Sequence, residues 1–344
     1  MLILFSFIQI PTMQFLKWFG FILILLIVVY FLGPKPSSPK LRSNLPVLPQ
    51  NANQLEKYIA DAEALHKVKP DNEARIVWLN NLLKEKTEYA VVYIHGFSAS
   101  QKEGDPVHEN FAKKFGCNLF LARLAEHGID TLDAMINITC DKLWNSAKQA
   151  FAIGKQIGKK VILMSTSTGG TLALKLAATY PEIAGIILLS PNIEINDRNA
   201  WLLNNPWGLQ IAKLVKRSAF VYSIDTTIVY KKYWYHTYRM ESVVQLEELL
   251  ESTMKASVFE KITQPVLMLY YFKDEENQDP VVKVSAMKRM FSQLGTTAEL
   301  KREKAIPNAG DHVIGSYIKS KDLESVENEC EKFGVEIMKL SKKD

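Results

Sequence analysis

Short apolar runs alternate with amphipathic stretches along most of the chain. Runs at 90–94, 118–121, 161–164, 185–189 and 266–271 read as buried strands, and 139–157, 171–180, 284–294 and 323–340 carry apolar residues at helical spacing. Strands apolar on both faces with helices between them predict an α/β fold: a doubly wound, mostly parallel sheet covered on both sides. A strand-like segment also spans 298–306. No internal repeat interrupts the series.

Two stretches depart from this alternation. Residues 192–263 form a large insertion dense in aromatics: Trp201, Trp207, Phe220, Tyr222, Tyr230, Tyr233, Trp234, Tyr235 and Tyr238. A helical cap over a site fits it, although aromatics of this kind also build ordinary cores. At the other end, residues 18–32 read WFGFILILLIVVYFL. With Phe15 and Leu16 added and Lys17 reaching for headgroups, the run approaches the roughly 20 residues that cross a bilayer as a helix.

Pro11 separates this run from an apolar stretch at 1–10, which reads as a mis-assigned start with Met13 the initiator. No A-x-A cleavage site ends the run, which favours a retained anchor over a cleaved signal. Lys17 precedes the span, while Lys35, Lys40 and Arg42 follow it, so the charge count leans only weakly towards a cytoplasmic domain. Residues 34–52 are rich in proline and serine and read as a stiff, extended tether. A helical pattern opens at Asn53. The expected organisation is therefore a single-pass anchor at 1–33, a tether at 34–52, and a catalytic domain at 53–344 with its cap at 192–263.

Composition narrows the function. With 42 basic against 37 acidic residues spread along 344 positions, no clustered basic surface marks a nucleic-acid partner. Cys117, Cys140 and Cys330 stand far apart, which excludes a C-x-x-C pair and a disulfide scaffold and leaves at most one bridge. No metal or organic cofactor is expected. Oligomeric state is not legible.

The candidate chemistry begins after the run at 161–164, where Ser165-Thr166-Ser167-Thr168-Gly169-Gly170 leads straight into helical spacing. A G-x-S-x-G elbow needs small residues around its serine because the turn is so sharp. Gly169 keeps the second glycine, and Ser165 replaces the first. Ser167 is the candidate nucleophile at a helix N-terminus, where backbone N–H groups favour developing negative charge. A serine-rich helix cap is the simpler alternative.

His95-Gly96-Phe97 follows the run at 90–94, so the N–H groups of Phe97 and Thr168 are the expected oxyanion donors. His95 itself reads as a packed turn residue. A serine needs a base, and in the order serine, acid, histidine only His236 and His312 follow Ser167. His236 lies inside the insertion, which leaves His312 in the loop Asn308–Ile314 at the sheet's carboxyl edge. For the acid, Asp279 and Asp274 both follow the run at 266–271. Asp279, ahead of Pro280-Val281-Val282, is favoured, and Asp274 stays the alternative. Asp311 is too near His312 in sequence to orient it.

Together, His95-Gly96-Phe97, the serine turn, Asp279-Pro280-Val281-Val282 and Gly310-Asp311-His312-Val313 resemble the α/β-hydrolase superfamily, most of all its carboxylesterase and monoacylglycerol-lipase branch, over about 90–340. The run Leu121–Gly128 is similar to that branch's segment ending in Gly-His-Gly. The resemblance implies a serine esterase or lipase-like hydrolase acting on small-molecule or lipid esters of apolar acyl groups, with a membrane contact through its N-terminal helix. A thioesterase or peptidase on the same triad, or an inactive hydrolase-like binding protein, are the rival readings.

Overall fold

The structure is a computed structural model that describes residues 10–343; the apolar stretch at 1–10 lies, apart from Ile10, outside the described residues. The strands are β1 (Arg75–Val77), β2 (Thr87–Ile94), β3 (Asn118–Leu121), β4 (Gly158–Thr166), β5 (Gly185–Leu189), β6 (Phe220–Tyr222), β7 (Thr237–Arg239), β8 (Val266–Tyr270) and β9 (Lys301–Ala305). The helices are α1 (Ile10–Phe31), α2 (Ala52–Glu63), α3 (Val107–Lys114), α4 (Cys140–Ile157), α5 (Thr168–Thr179), α6 (Gly208–Lys216), α7 (Ile228–Tyr233), α8 (Met240–Thr253), α9 (Ala256–Phe259), α10 (Val284–Ser292) and α11 (Leu323–Lys332).

Seven strands form one sheet in the order β1-β3-β2-β4-β5-β8-β9, parallel throughout except for β1, which pairs antiparallel with β3. Alternate residues of β2 explain its unbroken apolar run: Ala90, Val92 and Ile94 pack with α4 and α5, whereas Val91 and Tyr93 pack with Phe111 of α3 and Val326 of α11. Each fully buried aliphatic side chain of this kind contributes ~1.5–3 kcal/mol, so the two-sided central strands carry much of the fold's stability. Edge strand β9 is charged at Lys301, Arg302, Glu303 and Lys304, a composition that discourages further strand pairing.

Topology places the site. The chain leaves β2 towards β3 on one side and returns across β2 to β4 on the other, so the winding reverses between β2 and β4. In doubly wound sheets a crevice opens at the carboxyl ends of such a pair. Ile94 at the end of β2 stands in register with Ser165 near the end of β4. The His95-Gly96-Phe97 turn and the Ser167 turn therefore leave the sheet side by side.

Residues 192–263 hold α6 to α9 and the two-stranded β6–β7 ribbon. Met240 N donates to Ala219 O, and Tyr235 N donates back to Ser98 O beside the β2 turn. Residues 34–50 adopt no helix or strand, but they do not hang free. Asp141 accepts from Lys40 N at 3.1 Å and Leu41 N at 2.8 Å, Trp144 Nε1 donates to Arg42 O at 2.8 Å, and Lys148 Nζ donates to Asn44 O at 2.9 Å. Leu48 is buried with Leu55 of α2 and Trp144 of α4. The segment is a strap along α4, and the packed unit begins upstream of Asn53.

Helix α1 is apolar and exposed: none of the span Gln14–Phe31 is buried against the rest of the chain. The three cysteines are free and buried.

Candidate active site

Ser167 sits between the last residue of β4 and the first of α5 with φ 53° and ψ −120°. A serine at positive φ is strained, and strain of this kind persists only where the surroundings enforce it. Here they do: Ser167 N donates to Leu189 O at 3.0 Å, and Ser167 O accepts from Gly170 N at 2.8 Å and Asn192 N at 2.9 Å. Gly169 has no alternative, because a Cβ there would lie 2.0 Å from Ile94 O. Ser165, standing where such elbows usually carry glycine, is fully buried with its hydroxyl 3.4 Å from Ile187 O, so the turn accommodates it.

Thr168 opens α5, and its N–H is one of the first-turn donors that no intrahelical carbonyl can reach. Phe97 lies across from it on the β2 turn. Both line a cleft of about 560 Å³ together with Ser167 and His312. The aromatics of the insertion divide: Tyr230, Trp234 and Tyr238 line this cleft, whereas Trp201 and Tyr222 face outwards.

His312 is buried, and its Nδ1 lies 2.6 Å from Asp279 Oδ2. The other carboxylate oxygen of Asp279 accepts Val281 N–H at 2.9 Å and Val282 N–H at 3.0 Å. That is the physical use of the Asp279-Pro280-Val281-Val282 string: the two amides after the proline clamp the carboxylate so that its second oxygen must face the ring. Among the described residues His312 Nε2 has no hydrogen-bond partner although it is buried. Burial alone would lower the basicity of His312, but Asp279 beside it, assisted by Glu103 and Asp311, outweighs burial and holds its pKa above the ordinary imidazole value.

Asp274 is placed elsewhere. Its Oδ1 accepts Glu276 N and Asn277 N at 3.0 and 2.8 Å in the exposed loop after β8, and the Asn277 side chain and backbone hold its pKa below the usual carboxylate value. Asp311 Oδ1 accepts Val313 N at 2.9 Å, a turn contact. His95 is buried between Gly96 O, 2.8 Å from Nδ1, and Leu124 N, 3.0 Å from Nε2, and burial pushes its pKa down to about 4. It is a neutral strut beneath the turn. Among the described residues no group of His, Cys, Asp and Glu side chains is arranged to hold a metal ion.

Glu103 is a site residue with almost no mark in the chain. It stands in the short turn Gln101–Gly104, lines the cleft, and its carboxylate accepts Gly96 N–H while only 2% of the residue is exposed. Burial pushes its pKa up to about 7, against the opposing pull of Gly96 N–H and His312. The only signal in the chain was an acidic residue inside an otherwise small and polar loop after Phe97, a pattern that normally marks a solvated turn.

Comparison with known proteins bears on the fold and the family of the central segment. The family model described as serine aminopeptidase, S33 matches residues 141–309, a segment that includes Ser167 and Asp279 and stops short of His312. A thermostable monoacylglycerol lipase from Bacillus sp. (strain H-257) is 31% identical over 111 residues, 32% of this chain; the match spans 44% of that relative, less than half its length. Among solved structures, one from a study of the metagenome-derived lipolytic enzymes LipS and LipT superposes with TM-score 0.61 at 19% identity, covering 77% of this chain and 98% of that one. The Paleococcus ferrophilus monoacylglycerol lipase gives 0.56 at 14% identity over 78% of this chain and 100% of that one. A soluble variant of the Saccharomyces cerevisiae monoglyceride lipase, solved with a substrate analogue, gives 0.53 at 15% identity over 76% of this chain and 92% of that one. The fold, the reversal of winding at the serine turn and the match over residues 141–309 lead to one statement: this chain has the α/β-hydrolase fold, and its central segment is similar to the serine aminopeptidase, S33 family.

Proposed function

We propose that the chain is a serine hydrolase that cleaves carboxylic esters of apolar acyl groups through Ser167, His312 and Asp279. The observation that carries the reading is the buried imidazole of His312. One nitrogen is bound to a clamped carboxylate, and the other is unpartnered, among the described residues, in the cleft that holds the strained Ser167 turn. His312 Nε2 takes the proton of Ser167 Oγ as that oxygen attacks the ester carbonyl. The N–H groups of Phe97 and Thr168 receive the negative charge that develops on the carbonyl oxygen. The imidazolium then protonates the departing alkoxide, and an ester forms between the acyl group and Ser167. Water, deprotonated by the same nitrogen, releases the acid and restores the serine.

The cleft walls suit an apolar acyl chain: Phe97, Ile195, Tyr238, Val243 and Leu246 line it, with Trp234. Monoacylglycerol is a substrate in keeping with those walls and with the relatives named above. Hydrolysis of p-nitrophenyl butyrate by the wild type, and its loss in Ser167→Ala at unchanged melting temperature, is the expected result. Undiminished turnover by Ser167→Ala would end the proposal.

The exposed apolar helix α1 is read as a membrane anchor that sets this site beside lipid. Its 22 residues span about 33 Å at 1.5 Å each, enough to cross the ~30 Å hydrocarbon core. Trp207, just before α6, donates its indole N–H to Val29 O at 3.0 Å and its backbone N–H to Pro34 O at 2.9 Å, which ties the insertion to the end of α1. From there Ile211, Leu214 and Val215 form an exposed stripe on α6, bordered by Lys216 and Arg217. That pairing of an apolar stripe with cations fits a headgroup boundary. Resistance to alkaline carbonate extraction and release by detergent are expected; release by carbonate would point to a cleaved signal instead.

A further inference from the structure

The site holds a buried acidic side chain that none of these steps uses. A Cβ placed on Gly96 would lie 2.8 Å from both carboxylate oxygens of Glu103 and 2.9 Å from Ser167 Cβ, so carboxylate and nucleophile flank the same point. Among the described residues no lysine or arginine acts on Glu103: the groups that do are Gly96 N–H, Trp234, His312 and Asp311. A carboxylate buried without a cation is costly, and a glutamine would accept Gly96 N–H equally well without that cost. What glutamine cannot supply is the negative charge, and the basic group on which that charge acts is His312.

We infer that Glu103 is a positioning residue of the hydrolytic site, a second carboxylate that acts through His312. Asp279 holds one ring nitrogen, and Glu103 lines the same cleft as His312 and stands beside Ser167 Cβ. When Ser167 gives its proton to Nε2, the imidazolium has a second anionic neighbour in the cleft besides Asp279. The two acids divide the work: Asp279 fixes the tautomer through a hydrogen bond, and Glu103 adds charge without a bond to either nitrogen. The other titratable groups around this pair are Asp311 beside His312, Tyr93 on β2, Tyr230 on α7, and the Asp225–Lys319 ion pair across the cleft. Of these, only Asp311 and Glu103 join Asp279 in raising the basicity of His312, and Asp311 is engaged by Val313 N–H.

The inference rests on the assignment of Ser167 and His312 as nucleophile and base, and the experiment separates the two. With the full chain in detergent, kcat/KM for p-nitrophenyl butyrate is measured against pH for the wild type and Glu103→Gln, alongside fluorophosphonate labelling and melting temperature. Glutamine keeps the acceptor for Gly96 N–H, so a merely structural role predicts superimposable profiles. The expected result is an acid limb displaced to lower pH by about one unit, the size of effect an adjacent charge exerts, with labelling retained and a lower kcat on the plateau. Glu103→Ala, read in the same way, gives the same displacement if the glutamine variant does not fold. A wild type that turns over while the Glu103→Gln profile coincides with it overturns this inference alone, as does a faster plateau, which would mean the carboxylate chiefly opposes the oxyanion. A wild type that neither labels nor turns over overturns the triad assignment and this inference together.

Discussion

Replacing Asp279 by asparagine separates two duties that its carboxylate performs at once. One oxygen accepts the amides of Val281 and Val282, and the other accepts His312 Nδ1–H at 2.6 Å. Asparagine can keep the first duty with its carbonyl, which turns its NH2 group towards Nδ1. That nitrogen must then be unprotonated to accept, so the ring proton moves to Nε2, the atom required to take the proton from Ser167. The loss is one of tautomer and of charge rather than of packing, and in serine triads such a change lowers kcat about 10⁴-fold, or ~5.5 kcal/mol of transition-state stabilisation. Folding should change little, because no buried amide is orphaned. Asp279→Ala, by contrast, would strand the buried Val282 N–H at ~1–3 kcal/mol and free the half-exposed Val281 N–H to water. Asp274→Asn, confined to an exposed loop, should stay within about twofold of wild type, as surface changes away from a site generally do. Initial rates on p-nitrophenyl butyrate at several pH values, with melting curves, decide the matter. If Asp274→Asn were the variant that lost four orders of magnitude while Asp279→Asn kept its rate, the reasoning would be refuted.

Three further outcomes follow from the same geometry. Gly169→Ala should abolish soluble, active protein, since its Cβ would meet Ile94 O at 2.0 Å with backbone on both sides; a well-folded, active variant seen by circular dichroism and esterase assay would contradict the elbow packing. The acid limb of kcat/KM should have a midpoint above 6.5, because the folded site raises the His312 pKa and only the neutral ring can accept a proton; activity is present above that midpoint and lost as pH falls through it. A midpoint well below 6.5 would exclude Asp279 as the dominant neighbour. Asp141→Ala removes the acceptor that Lys40 N and Leu41 N share and should cost ~1–2 kcal/mol of stability in urea unfolding, with kcat unchanged. No loss of stability would show that the strap is not held at α4.

The sheet was legible in the chain because its central strands are apolar on both faces, and 185–189 reads directly as β5. β1 was not, since three residues with Val77 partly exposed carry no periodicity and form only by pairing with β3. Helix α3 was missed for a similar reason: its buried Val107, Phe111 and Ala112 are separated by His108, Glu109 and Asn110, too short a pattern to stand out. The segment read as a stiff, extended tether carries its anchoring in backbone amides and carbonyls, which bond to Asp141, Trp144 and Lys148 and leave no trace in side-chain type. Ser167 and His312 stood out as candidates in the chain because a strand-turn-helix with Gly169 and a histidine late in the chain outside the insertion are unusual, and the structure sets both along one cleft. The choice between Asp279 and Asp274 needed coordinates, since the loop after β8 decides which carboxylate turns inward. Glu103 was invisible because its meaning lies in what Gly96 and His312 bring to it across the fold.

The most direct measurement of the central claim is peptide mapping after reaction with a fluorophosphonate. One covalent adduct on Ser167 is expected, formed at pH 8 and suppressed as the pH falls through the His312 midpoint. An adduct on any other residue, or full labelling of Ser167→Ala, would contradict it.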